Sequence, residues 1–267
     1  LPYFTLGWVE TQIGNIVAHR VVSLVLHVLV AYQMYRFLEE ILISGNSTLR
    51  PNTGFNSIHA GRVAVLVALA FACHPVAVYG AGYLVQRTIV FATLFALLCL
   101  RAMLTALHRN QLGPAIWAAV WASMSILSKQ HAVMLPIAAL ALIPLVGRLS
   151  RDTLKISALF LSLCVPAMLF AVLTSLSVIG QVYEPSIKDL ETELFSLPPL
   201  SGRYERWLLS ASVQAQLYFA YWQQWLLPDP AHMSADLRID FLRPWTHAGA
   251  WAWIAGLGTI PVMVAVY

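Results

Sequence analysis

Apolar stretches of roughly 20 residues recur along this chain, and a run of that length crosses a hydrocarbon layer of about 30 Å when it folds as a helix. Seven windows read this way: Val17–Ile43, Arg62–Tyr79, Thr88–Leu107, Pro114–Leu127, Ala132–Val146, Leu154–Ile179 and His247–Tyr267. Hydrophobic residues make up 59% of the 267 and charged residues only 10%, against about 25% charged in soluble domains. The expected fold class is therefore all-α, a polytopic transmembrane helical bundle of about seven spans. The windows beginning at Pro114 and Ala132 are short and stand only "SKQH" apart, which predicts a tight helical hairpin whose turn lies near the membrane surface.

The net charge is +4, but the basic residues are scattered among short loops rather than gathered in a patch. That argues against nucleic acid as a partner and for a role in topology. Arg36, Arg50 and Arg62 lie at or after the end of the first window, Arg101 and Arg109 at the end of the third, and Arg148, Arg151 and Lys155 after the fifth. The positive-inside rule makes those loops cytoplasmic. The extracytoplasmic face then receives residues 1–16, the "YLVQR" turn, the "SKQH" turn and the long segment from Gly180 onward.

An eighth apolar stretch, Trp207–Leu227, carries Gln214, Gln216, Gln223 and Gln224 among Tyr218, Tyr221, Trp222 and Trp225. Amides and aromatic rings suit the headgroup zone, so this stretch reads as one interfacial helix on the outer face rather than a span. The whole chain, 1–267, is expected to form a single transmembrane domain, with 180–246 as an outer-face loop and interfacial-helix region within it. Cys73, Cys99 and Cys164 all fall in apolar windows and read as small core residues, neither a disulfide framework nor a metal site. The chain opens on Leu1 and closes inside an apolar window at Tyr267, and further sequence is expected at both ends.

An ionisable group within a membrane is costly and each one is a functional candidate. His27 lies well inside the first window and reads as a hydrogen-bonded packing residue. His74 precedes Pro75, whose missing N–H frees a carbonyl one turn back, so His74 either satisfies a kink or lines a cavity. Arg87 and Lys129 occupy the two tightest outer turns, where topology disfavours cations. Either a lipid headgroup or acidic side chain compensates them, or they form a site for phosphate oxygens, which an Arg fork and a Lys point charge both suit. Glu10, in "GWVETQIG", is the carboxylate near the outer face at the start of the chain.

The order of motifs resembles the GT-C membrane glycosyltransferases, in particular bacterial relatives of the transmembrane and tetratricopeptide-repeat O-mannosyltransferases. "LPYFTLGWVETQIG" with "HRVVSLVLHVLVAYQMYRFL" looks like the segment after that family's first outer loop. "HPVAVYGAGYLVQR" looks like its HPV…YIVQR element, "ILSKQHAVMLP" like its LSKENAV-LP, and "YFAYWQQWLLPDPAHMSADLR" like its aromatic helix with the following Asp-bearing loop. The resemblance implies transfer of a sugar from a polyprenyl-phosphate carrier to a protein or glycan acceptor on the outer face of a bacterial inner membrane, with inversion at the anomeric carbon. It implies that Arg87 and Lys129 stabilise the leaving phosphate, that His74, Tyr83, Gln86, Gln130 and His131 line the cavity, and that Asp236 and Arg238 close it.

The chain departs from that pattern in three places. The family's acidic first loop would precede Leu1, Tyr79 stands where relatives commonly have Glu, and Gln130 stands where they have Glu after the lysine. Glu10 is then the candidate stand-in for the missing acid, as base or acceptor-positioning group. No cofactor is required beyond the lipid-linked sugar donor. A divalent metal is compatible with the chemistry but has no ligand cluster of its own. Two further readings stand beside the enzyme: a non-catalytic membrane subunit that keeps the scaffold within a larger assembly, favoured by the lost carboxylates, and a transporter, for which paired broken helices are not evident.

Overall fold

The computed structural model describes residues 2–49, 57–146, 150–176, 203–229 and 254–256, and among them the regular elements are all helical. The chain divides into two compact units, 1–179 and 180–267. The first holds α1 (Pro2–Gln12), α2 (Ile16–Leu49), α3 (Ser57–Cys73), α4 (Pro75–Gly82), α5 (Arg87–Arg109), α6 (Leu112–Ser128), α7 (Leu135–Leu140), α8 (Ile143–Val146) and α9 (Arg151–Leu176), with 3₁₀ turns at Leu84–Gln86 and Gln130–Met134. The second holds α10 (Arg203–Leu226) among its described residues. It covers the stretch read as an interfacial helix and begins earlier, because Arg203, Tyr204, Glu205 and Arg206 continue a helix that a hydropathy window does not register.

Among the described residues three helices are long and apolar enough to cross a membrane: Ile16–Ser44, Arg87–Arg109 and Arg151–Thr174. A fourth candidate is the pair Ile58–Cys73 and Pro75–Gly82, bent by 58° at its break. About seven spans are not confirmed among the described residues, and prolines account for part of the difference. The window Pro114–Leu127 forms α6, whose 17 residues reach only about 25 Å. The window Ala132–Val146 breaks into the 3₁₀ turn, α7 and α8, because Pro136 and Pro144 each sit in the first turn of a new helix, where a missing N–H costs least. Of the window His247–Tyr267, only 254–256 lie among the described residues.

The break at Pro75 closes its own hydrogen-bond account. Pro75 cannot donate to the carbonyl of Phe71, and the backbone N–H of His74 does so instead at 3.2 Å. The N–H of Val76 turns to the imidazole Nδ1 of His74 at 3.2 Å, and the carbonyl of Ala72 accepts from His27 Nε2 of α2 at 3.0 Å. His27 also stacks on Phe71, with ring centroids 5.7 Å apart. Both histidines thus serve the kink, which tethers it to α2.

α5 is the central element of the first unit. Met103, Leu104 and Leu107 of α5 pack with Ala115, Ala118 and Ala122 of α6 and with Phe160 and Cys164 of α9 in one buried cluster. The alanines let α6 lie close against α5, as small residues do between helices in lipid. Asn110, at φ 50°, ends α5 in the left-handed region that Asn tolerates, and its N–H reaches the carbonyl of Ala106. α6 therefore returns antiparallel, and Ser125 donates to the carbonyl of Ala92 at 2.8 Å. Outward, Val21, Leu24 and Val28 of α2, Leu66 and Leu69 of α3, and Leu169, Phe170 and Leu173 of α9 are exposed, an apolar surface suited to lipid.

α2 runs parallel to α5 and is clamped to it at both ends. Near the start, His19 and Ser23 bond Arg87. Towards the other end Glu40 takes Arg101 in a forked ion pair at 2.6–3.3 Å, Gln33 also accepts from Arg101, and Ser44 pairs with His108 at 2.7 Å.

Candidate functional site

The site is built by the turn between α1 and α2. Gly14 adopts φ 58°, a left-handed conformation that costs most side chains about 1–2 kcal/mol, and its N–H returns to the carbonyl of Val9 at 3.2 Å. Asn15 then caps α2, its Oδ1 accepting the N–H of Val17 at 2.8 Å. The reversal brings Glu10 back over the first turn of α2, where Glu10 Oε2 lies 3.0 Å from His19 Nε2.

Behind His19 stands Arg87, with none of its surface exposed. Its Nη2 donates to the His19 carbonyl at 2.8 Å and approaches His19 Nδ1 at 3.4 Å, and its Nε donates to Ser23 Oγ at 3.2 Å. Nη1 is buried without a partner. Guanidinium nitrogens only donate, so Nδ1 of His19 is the acceptor and the ring proton sits on Nε2, directed at Glu10. The carboxylate of Glu10 is the outer member: its side chain is 68% exposed against 6% for that of His19. It faces a cleft of about 600 Å³ walled by Leu6, Gly7, Gly14, Ile16 and Leu84.

Glu10 and Arg87, singled out from the sequence, are thus joined through His19, which sequence reading passed over. The signal that could have found it is local: "GN" at Gly14 and Asn15 is a turn followed by a helix cap, and such a reversal sets Glu10 against the next buried polar residue. Lys129 caps α6 in extended backbone and is exposed. Because Ser125 bonds Ala92, Lys129 lies at the same end of the α5–α6 pair as Arg87. Gln130 donates to Thr174 of α9 at 3.2 Å. Partial desolvation of the imidazole, in a residue that is exposed overall, and then the charge of Lys129, hold His131 below its ordinary pKa.

Tyr83, exposed, precedes and Gln86, half-buried, ends the 3₁₀ turn that leads into α5, with Gln86 N–H donating to the Tyr83 carbonyl at 2.9 Å. His74 sits at the kink rather than on the cleft wall. Asp236 and Arg238 lie outside the described residues. Among the described residues no group of three or more His, Cys, Asp or Glu side chains is placed to hold a metal ion. Chemically, the arrangement offers an oriented carboxylate at an apolar-walled cleft and an exposed lysine at the same end of the bundle. Comparison with known protein families, with curated proteins and with solved structures found no match for this chain.

Proposed function

We propose that this protein is a multi-pass membrane glycosyltransferase of the GT-C type, moving a sugar from a polyprenyl-phosphate carrier to a hydroxyl acceptor, on protein or glycan, at the extracytoplasmic face of a bacterial inner membrane. The observation that carries the reading is the gathering of Glu10, Arg87 and Lys129 at one end of the α2–α5–α6 group, although they are far apart in the chain. In the proposed step the acceptor hydroxyl gives its proton to Glu10. Its oxygen bonds the anomeric carbon, and the carbon–oxygen bond to the phosphate breaks on the opposite face, the phosphate leaving with the electron pair. Lys129 stabilises that phosphate. Arg87, spent on α2, serves from behind by fixing His19.

The test is transfer from a polyprenyl-phosphate sugar by the full-length protein in liposomes, with and without a divalent cation. Glu10→Gln and Lys129→Ala should each lower turnover by roughly thirty- to a thousandfold, the effect of removing about 2–4 kcal/mol of transition-state stabilisation. Normal turnover in both variants would remove these residues from the chemistry. The burial of Arg87 favours a second reading, a non-catalytic scaffold subunit, since a cation nominated for catalysis acts there as a structural pin. An unaltered protein that neither transfers sugar nor binds the carrier would give that reading the lead.

A further inference from the structure

The cleft above α2 has a hydrogen-bonding character that follows from its neighbours. Of the described side chains lining it, Leu6, Ile16 and Leu84 are apolar and Glu10 and His19 are polar. His19 offers the cleft nothing, because Arg87 occupies Nδ1 and the Nε2 proton is already given to Glu10 Oε2. Arg87 itself has no exposed surface. What the side chains leave for a ligand is one acceptor group, the free oxygen of the Glu10 carboxylate, at the cleft wall.

From this we infer that the cleft is a binding site for an amphiphile whose polar end is a hydrogen-bond donor without negative charge, a hydroxyl or an ammonium group, and whose body is apolar. A phosphate or carboxylate head would meet Glu10 with like charge and no side-chain donor to receive it, a juxtaposition that disfavours binding. This deepens the glycosyl-transfer reading by assigning the cleft to the acceptor and keeping the carrier's phosphate out of it, towards Lys129. The binding inference itself stands on the donor and acceptor inventory and does not need the transfer reaction.

His19 is in this scheme a positioning residue. Were its proton on Nδ1 it would collide with the guanidinium and present a second acceptor to Glu10. Arg87 prevents that tautomer, so the Glu10 carboxylate is held by one oxygen and aimed by the other.

The test uses photoreactive probes sharing one 12-carbon chain and ending in an alcohol, an amine or a phosphate, with the full-length protein in neutral-lipid vesicles and cross-linked positions read by peptide mass spectrometry. Alcohol and amine should label peptides spanning Leu6–Ile16 and Leu84 saturably, and the phosphate probe roughly tenfold less or weaker. Glu10→Gln, an exposed and nearly isosteric change, should erase the preference for the amine and admit the phosphate. In ¹⁵N spectra, His19 should show the Nε2–H tautomer, and Arg87→Lys should weaken that signature. Equal labelling by alcohol and phosphate, or an unchanged preference in Glu10→Gln, would overturn the inference. Selective labelling in a protein that transfers no sugar would support the cleft and sink the enzyme reading instead. Transfer with unselective labelling would do the reverse.

Discussion

Arg87 is the residue on which the first unit turns. A guanidinium with no exposed surface that bonds a backbone carbonyl, a hydroxyl and an imidazole edge ties the start of α5 to α2. Replacing it by Met should lower stability by about 2–4 kcal/mol, since the His19 carbonyl and the Ser23 hydroxyl lose their donor inside the protein. Arg87→Lys should recover only part of that, because one ammonium on a flexible stem does not reach both partners at once. Chemical denaturation in detergent micelles reads both changes. His131 gives a second expectation at this scale. Its folded pKa lies below the ordinary value of 6.5, so the unfolded chain binds the proton more readily. The corresponding stability is present above 6.5 and is lost as pH falls from there through the folded value. Lys129→Ala should raise the His131 pKa and narrow that window, measured by the pH dependence of imidazole modification.

Among the elements, the reversal at Gly14 does most to place the site. A methyl group there would meet only the Glu10 carbonyl oxygen at 3.5 Å, an ordinary contact, so the cost of substitution is conformational. Gly14→Val should destabilise by about 1–2 kcal/mol, with Gly14→Asn closer to the unaltered protein, since Asn visits the left-handed region with less strain. The loss of Glu10 placement should appear as weaker probe labelling in the Val variant. The Glu40–Arg101 pair, about a quarter exposed on each side, gives a contrasting case. Glu40→Ala should cost about 1.5–3 kcal/mol by leaving Arg101 with Gln33 but without its carboxylate, while joint replacement of Glu40 and Arg101 by apolar residues of similar length should cost less than the single change. The all-helical class and the helices of the first, third and sixth windows were legible in the sequence because long apolar runs dominate them. The fourth window was legible as a helix, α6, though a short one; the second and fifth were legible only in part, since hydropathy averages over Pro75, Pro136 and Pro144 while the backbone cannot. α1 was missed because its apolar residues form no stripe, and His19 because a pairing across a turn has no signature in either partner alone.

At the scale of the whole molecule, the antiparallel return at Asn110 sets Arg87 and Lys129 at one end of the α5–α6 pair and Asn110 at the other. Single cysteines at Tyr83 and Lys129, in a protein whose native Cys73, Cys99 and Cys164 are replaced, should therefore react with an impermeant thiol reagent from the same side of the membrane, and a cysteine at Asn110 from the opposite side. Reaction of Tyr83 and Lys129 from different sides would contradict the hairpin. The two clamps between α2 and α5 have a mechanical consequence as well. The separation of 14 positions between Arg87 and Arg101 spans about 21 Å of helix axis, with polar fasteners at both limits. Sliding one helix past the other by a turn, about 5.4 Å, would shear both fasteners together and leave Arg87 without acceptors inside the protein. The pair therefore behaves as a strut. The break at Pro75, tied to α2 through His27, is fastened to the same strut.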